Sequence, residues 1–241
     1  MKGVKQKMSR STVSVIMPAF NEAATIEQSI NRVLVQDCVG QLIVVDDGST
    51  DQTFSIVNTI KDSRVFPIRH TENFGKGAAI SSALSLVNFP ITLIQDADLE
   101  YDPQEYLKLI SPILSEKADV VYGSRFLGSE ERRVLYFWHY IANQFLTVTS
   151  NAFTNLNLSD METCYKVVKS EYLKSVKLRE KRFGVEPELT AKLAHMGLRF
   201  YEVPINYYGR TYEEGKKIRP SDGIRALYCI VRYNLFSRAH N

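Results

Sequence analysis

Asp96-Ala97-Asp98 follows an apolar run, Ile91-Thr-Leu-Ile94, and two carboxylates one small residue apart can both reach one divalent cation. Their hard oxygens suit Mg²⁺ or Mn²⁺, and a cation there would neutralise a departing diphosphate. A polar strand end in which Asp98 caps the next turn has the same sequence, so the pair needs company. Asp46-Asp47-Gly48-Ser49 is one companion. An aspartate ending a strand accepts hydrogen bonds from a ribose or a base edge, although Asp47-Gly48 is also good turn chemistry, with Ser49 or Thr50 as a helix cap. Asn73-Phe-Gly75-Lys76-Gly77 sets a lysine between glycines at a helix start, where backbone N–H groups and the dipole favour an anion. The alternative for Lys76 is an exposed side chain on a glycine turn.

These groups need a scaffold that brings them together. Strands are expected at Val13–Met17, Leu42–Val45, Val65–Ile68 and Ile91–Ile94, separated by helices over Glu22–Gln36 (capped by Asn21), Asp51–Lys61 and Gly77–Val87. Strands that are apolar without alternation and separated by helices indicate a mostly parallel sheet covered on both faces. Ligands in such sheets sit at the carboxyl ends of the strands. Asn21-Glu22, Asp46-Asp47 and Asp96-Ala97-Asp98 all fall there. The second half is less regular. It contains a strand at Val120–Gly123 and a helix from Val134 to Leu156, with Ile141, Phe145, Val148, Ala152 and Leu156 on one stripe. Further on come a helix over Gly184–His195, strands Arg199–Val203 and Ile205–Tyr208 around Pro204, a polar loop from Gly209 to Pro220, and a helix over Asp222–Phe236.

Composition narrows the classes. The chain has 241 residues, 44% hydrophobic and 24% charged, enough for one α/β unit with a sizeable core. Residues 1–12 form a basic arm, 13–236 one domain divided near 126/127, and 237–241 a tail. A formal net charge of +3 is too mild for a nucleic-acid partner. Basic clusters do occur: Lys2, Lys5, Lys7 and Arg10, then Arg132 and Arg133, then Lys216, Lys217 and Arg219. Each suits anionic lipid or phosphate, or a solvated face. Three scattered cysteines without C-x-x-C spacing argue against structural zinc and fit a reducing cytoplasm. No window is apolar enough to span a bilayer, so membrane contact is expected to be peripheral. Pro18-Ala-Phe20-Asn-Glu22 contains no glycine, which removes the dinucleotide fingerprint, and it lacks the basic glycine-rich loop a sugar-nucleotide pyrophosphorylase would need.

Taken in order, Pro18–Glu22, Asp46–Asp51, Asn73–Gly77, Asp96–Asp98 and Gly123-Ser-Arg125 resemble family-two glycosyltransferases of the GT-A fold. Within that family the chain is similar to dolichyl- and polyprenyl-phosphate sugar synthases. The resemblance implies a Rossmann-like central sheet with a small C-terminal acceptor-side region, a nucleoside-diphosphate sugar donor, and a metal held by Asp96, Asp98 and Glu100. It places Pro18, Phe20, Glu22, Asp46 and Asp47 around the nucleotide, with Ala97 in the metal segment and Lys76, Arg210 and Lys216 toward the phosphates. It also puts residues 13–126 on the donor side and 127–236 on the acceptor side. Asp160-Met-Glu-Thr-Cys164-Tyr165 occupies the place of a D-x-T-S-G-F element, from which Cys164 and Tyr165 depart.

The reaction so implied is an inverting displacement at the anomeric carbon, with Asp98, Arg125 and Asp160 at its centre. A hydroxyl acceptor, as in cell-surface polysaccharide synthesis, needs a base, for which Asp160, Glu186 and Glu188 are candidates. A lipid phosphate needs none and would be held by Arg125, Arg132 and Arg133. The aromatic opening of the helix after Arg133, Tyr136-Phe-Trp138-His-Tyr140, suits a membrane interface; internal packing is the alternative. From another class, a catalytically silent nucleotide- or membrane-binding module would share the frame, and the intact Asp96, Asp98 and Arg125 count against it.

Overall fold

The structure is a computed structural model that describes residues 12–128, 133–134, 136–211, 213 and 220–236. Lys2, Lys5, Lys7, Arg10, Arg132, Lys216, Lys217, Arg219 and the tail 237–241 lie outside the described residues.

Among the described residues seven strands form one sheet. β1 (Val13–Ala19), β2 (Val39–Asp46), β4 (Ile91–Ile94) and β5 (Val120–Ser124) are apolar and buried almost throughout, as strands covered on both faces must be. β3 (Val65–Arg69) and β7 (Phe200–Pro204) are more exposed. The sheet order β3-β2-β1-β4-β6-β5-β7 explains why: these two are the edges. An edge also tolerates Pro67 and Pro204, which cannot donate to a ladder. β6 (Lys166–Lys169) is absent from the expected elements and runs antiparallel between β4 and β5. Its reversed direction carries residues 160–165 to the carboxyl ends of β4 and β5.

The helices are α1 (Ile26–Leu34), α2 (Thr53–Thr59), α3 (Lys76–Ala83), α4 (Tyr106–Leu114), α5 (Phe137–Thr154), α6 (Ser170–Ser175), α7 (Val185–His195) and α8 (Pro220–Leu235). α1 is shorter than expected and starts at Ile26. Asn21 does not cap it. With φ at 51°, Asn21 instead accepts from Thr50 N (2.9 Å), while its own N–H donates to Ser49 Oγ (2.9 Å), so it joins the turns after β1 and β2. The expected strand Ile205–Tyr208 reduces to a single bridge between Tyr101 and Tyr207.

In α5, Leu146, Thr147 and Ser150 face the protein, whereas Ile141, Phe145 (59% exposed) and Val148 (63%) of the apolar stripe point outward, which is not the internal packing that was the alternative. The polar side is anchored: Asn151 Nδ2 donates to Leu158 O at 2.7 Å and Thr147 Oγ1 accepts from Met161 N at 3.1 Å. α8 packs beside α5 and leaves Ile224, Tyr228 and Leu235 exposed as well, as is Phe236 just after it.

Candidate active site

β1 lies between β2 and β4, so the strand order reverses at the carboxyl ends of β1 and β4, where open α/β sheets bind ligands. Gln95 N donates to Ile16 O (3.0 Å) and Asp47 N to Ala19 O (2.8 Å), which aligns the motifs following β1, β2 and β4. Gln95 then fixes the metal segment. Its Nε2 donates to Asp96 O, and its Oε1 accepts from Tyr106 and Tyr165, each contact at 2.8 Å. Tyr165, one of the two departures in its motif, thus has a buried acceptor for its hydroxyl.

Past Asp96 the backbone is strained: Leu99 has φ of 64°, rare for a branched side chain. The turn brings Asp98 and Glu100 onto one cation, the Arg210 guanidinium, at 2.8 and 3.2 Å, with Glu22 at 3.6 Å. Arg210 N and Tyr207 Oη also donate to Glu100, at 2.9 and 2.7 Å. Burial, then the charges of Asp96 and Glu100, push the Asp98 carboxyl up to about 7. Asp96 turns the other way, to Lys76 at 2.9 Å, and Lys76 reaches Glu186 at 3.0 Å. Burial alone would lower Lys76, but Asp96, Cys164 and Glu186 hold it well above the ordinary lysine range. Ala97 is buried, and its carbonyl accepts from Thr25 Oγ1 at 3.0 Å. Among the described residues no three His, Cys, Asp or Glu side chains converge tightly enough to hold a metal ion in this arrangement. The donors nonetheless fit one, since hard carboxylate oxygens of Asp98 and Glu100 already meet at a single cation.

The two aspartates after β2 differ in role. Asp47 is saturated: His70 Nδ1 lies at 2.7 Å, and Phe74 N and Gly75 N donate at 3.0 and 2.6 Å. It shapes the loop into α3. Asp46 is fully buried, and neither oxygen takes a hydrogen bond; its nearest cation is Arg69 Nε at 3.4 Å. Pro18 and Phe20 flank this end half-buried.

One backbone donor at the start of α3 is already taken. Ala78 N donates to Lys181 O at 3.0 Å, so a loop carbonyl takes that position. The glycines serve this approach: a Cβ on Gly77 would stand 2.1 Å from Glu180 O, and one on Gly75 2.5 Å from Lys181 O. The loop is held in turn by Glu188, whose carboxylate accepts from Arg179 N and Glu180 N at 2.8 and 2.7 Å and pairs with Lys192. Glu188 is therefore a structural carboxylate. Asp160 is equally committed, gripping Arg125 Nε and Nη2 at 2.7 Å each while Asn143 Nδ2 donates at 3.2 Å. Glu202 of β7 receives Ser159 N and Asp160 N and so sets that fork in place. Arg133 turns toward the same region, donating to Gly209 O at 3.1 Å.

Sequence reasoning passed over Glu162, two residues beyond Asp160. Burial and the neighbouring Glu186 push its carboxyl up to about 8. The only signal available was its place inside the Asp160–Tyr165 motif.

Residues 14–176 match the glycosyl transferase family 2 model. The chain is 25% identical to the UDP-N-acetylglucosamine–dolichyl-phosphate N-acetylglucosaminyltransferase of Methanococcus voltae, over 93% of this chain and 96% of that protein. It is likewise 25% identical to the undecaprenyl-phosphate mannosyltransferase of Micrococcus luteus, over 94% and 95%. Among solved structures, glucosyl-3-phosphoglycerate synthase of Mycobacterium tuberculosis, in complex with Mn²⁺, UDP and glucosyl-3-phosphoglycerate, superposes with a TM-score of 0.71 at 22% identity, covering 94% of this chain and 80% of that one. That likeness shows the GT-A fold.

Proposed function

This chain belongs to glycosyl transferase family 2, and from that premise we propose that it moves a sugar from a UDP- or GDP-linked donor onto a polyprenyl or dolichyl phosphate at the cytoplasmic face of a membrane. The observation that carries this reading is the pair of facing devices at the carboxyl ends of the strands. On one side Glu22, Asp98 and Glu100 gather around a cation. On the other, Asp160 grips Arg125. The Methanococcus and Micrococcus relatives are named for lipid-phosphate acceptors, and the Mycobacterium neighbour holds UDP and Mn²⁺.

Asp98 and Glu100, with Asp96 once released from Lys76, would hold Mg²⁺ or Mn²⁺, which would supply charge compensation for the diphosphate. The unpartnered Asp46 carboxylate accepts from the base or ribose beside Pro18 and Phe20, and Asp47 acts one step back by shaping the loop into α3. Glu22 holds Arg210, and Arg210, Lys76 and Lys216 add positive charge along the diphosphate. Arg125, locked by Asp160, binds the acceptor phosphate together with Arg132 and Arg133. A phosphate oxygen attacks the anomeric carbon as the bond to the diphosphate breaks, and the configuration inverts. The attacking oxygen is already anionic, so no base is needed; Asp160 and Glu188, spent on Arg125 and on the 179–180 loop, are not placed to be one. The outward apolar face of α5, with Phe137 at 63% and Trp138 at 75% exposure, supports peripheral docking, as amphipathic interfacial helices do. No helix among the described residues is long and apolar enough to cross a membrane.

Thermal unfolding with UDP and GDP, each with and without Mn²⁺, tests the donor side. One nucleotide at ~100 times its Kd should add ~2.7 kcal/mol, more readily with the ion present. No stabilisation by either nucleotide would remove the reading.

A further inference from the structure

Arg210 holds Asp98 and Glu100 by the oxygens a metal ion would need. On Asp98, Oδ1 accepts from Glu100 N at 3.2 Å, and Oδ2 is left to Arg210 Nη2 at 2.8 Å. On Glu100, Oε2 accepts from Tyr207 Oη at 2.7 Å, and Oε1 is left to Arg210, from Nε at 3.2 Å and from the backbone N at 2.9 Å. The other two donors are fixed. Glu100 N belongs to the turn itself, while Tyr207 is bridged to Tyr101 and followed by Tyr208, whose N donates to Glu100 O at 2.9 Å. Asp98 Oδ2 and Glu100 Oε1 are therefore the oxygens open to exchange, and both lie under one guanidinium. Asp96 raises no such conflict, because Lys76 can release it and keep Glu186 at 3.0 Å.

A guanidinium does not lose its proton in a protein, so Arg210 cannot make way by becoming neutral. Nor can it share these oxygens with a divalent cation, because like charges at contact spacing in a site only 20% exposed repel strongly. One must displace the other. The chain just before Arg210 is anchored through Tyr207 and Tyr208, so the exchange is a swing of the side chain, with Glu22 Oε2, at 3.6 Å from Nη1, as the neighbouring carboxylate. We propose that Arg210 and the divalent cation compete for Asp98 Oδ2 and Glu100 Oε1, and that the diphosphate settles the contest by taking the released guanidinium. The inference rests on the donor reading above. A ligand shifts an equilibrium only through its different affinity for the two arrangements, and an anionic diphosphate has that difference, since it meets the guanidinium only when the side chain has swung out. Metal and nucleotide are thus coupled through one arginine, which opposes the metal alone and favours the nucleotide once the metal is in place.

Calorimetric titration compares wild type and Arg210→Ala with Mn²⁺ alone, then with UDP and with GDP in saturating Mn²⁺. The two effects of the substitution should have opposite signs. Mn²⁺ alone should bind about tenfold tighter, the scale of one charge-assisted contact, and the nucleotide that wild type binds should be held about tenfold more weakly. An arginine with a merely structural role would weaken both ligands. Nuclear magnetic resonance of the wild type with isotope-labelled arginine follows the swing itself and needs no destabilised protein. The Arg210 Nε–H signal, assigned by its loss in Arg210→Lys, should shift as Mg²⁺ is added. The competition is overturned if Arg210→Ala leaves Mn²⁺ binding unchanged or weakens it, if the variant holds the nucleotide as tightly as wild type, or if the Arg210 signal stays in place at saturating Mg²⁺. Failure of the wild type to bind either nucleotide in Mn²⁺ removes the donor reading instead, and the contest for the carboxylates is then decided by the Mn²⁺ titration and the Arg210 signal.

Discussion

Arg210→Ala removes the cation around which the site is assembled. Arg210 is the ion partner of Asp98 at 2.8 Å, Glu100 at 3.2 Å and Glu22 at 3.6 Å. Its side chain is 20% exposed, and those of its partners are 15%, 11% and 10% exposed. Stripping one partner from a fully buried ion pair costs ~3–5 kcal/mol, and partial exposure screens part of that, so a loss of ~2–3 kcal/mol is expected without metal. For a chain of this length that corresponds to a fall of roughly 5–10 °C in Tm. The same substitution clears the carboxylates for a divalent cation. Urea unfolding in EDTA and in Mn²⁺ should therefore show the variant well below wild type in EDTA and closer to it in Mn²⁺. The reasoning fails if the variant matches wild type in EDTA, or if Mn²⁺ stabilises both proteins equally.

Other outcomes follow from the packing and the charges. Gly77→Ala drives a methyl into the Glu180 carbonyl and should cost ~1–3 kcal/mol, whereas Gly223→Ala on α8, where a Cβ meets nothing within 4 Å, should stabilise by up to ~1 kcal/mol; denaturant midpoints compare the two. The Glu162 carboxyl, pushed up to about 8, binds a proton in the folded chain that an unfolded glutamate releases above pH ~4.3. The folded state thus holds more protons through that window, and stability should fall as pH rises from about 5 toward 8. Glu162→Gln should flatten that slope, and identical slopes in melts across the range would count against the assignment. Replacing Phe137 and Trp138 by serine should abolish co-flotation with anionic vesicles without lowering Tm, since both side chains are exposed; undiminished flotation would place the membrane contact elsewhere.

The half of the fold around the nucleotide motifs was readable because β1, β2 and β4 are buried on both faces and their polar punctuation falls at one end. The second half hid for physical reasons. β6 is four residues long with a lysine at each end, and one of them, Lys166, is buried on carbonyls and a tyrosine ring. α4 carries Pro112, which breaks the helical pattern. α5 has the stripe that periodicity located, but periodicity alone left its side open between a membrane interface and the core. Within the site, Asp96 and Asp98 stood out by type and spacing, whereas Glu100, Arg125 and Arg210 came only with the family resemblance. The roles of Asp160, Glu188 and the glycines beside Lys76 were not legible, since each depends on a loop that is distant in sequence: Asp160 on Arg125, and Glu188 and the glycines on residues 179–181.

The central claim is metal-assisted transfer of a sugar from a nucleotide to a lipid phosphate at Asp98. Its direct measurement is incubation of the chain with radiolabelled UDP- and GDP-sugars, Mn²⁺ and polyprenyl phosphate in vesicles, followed by counting label in the organic phase. The account predicts lipid-linked label from one donor, lost with chelator and in Asp98→Ala. Label that persists in Asp98→Ala with chelator, or that never enters the lipid with any donor, would contradict it.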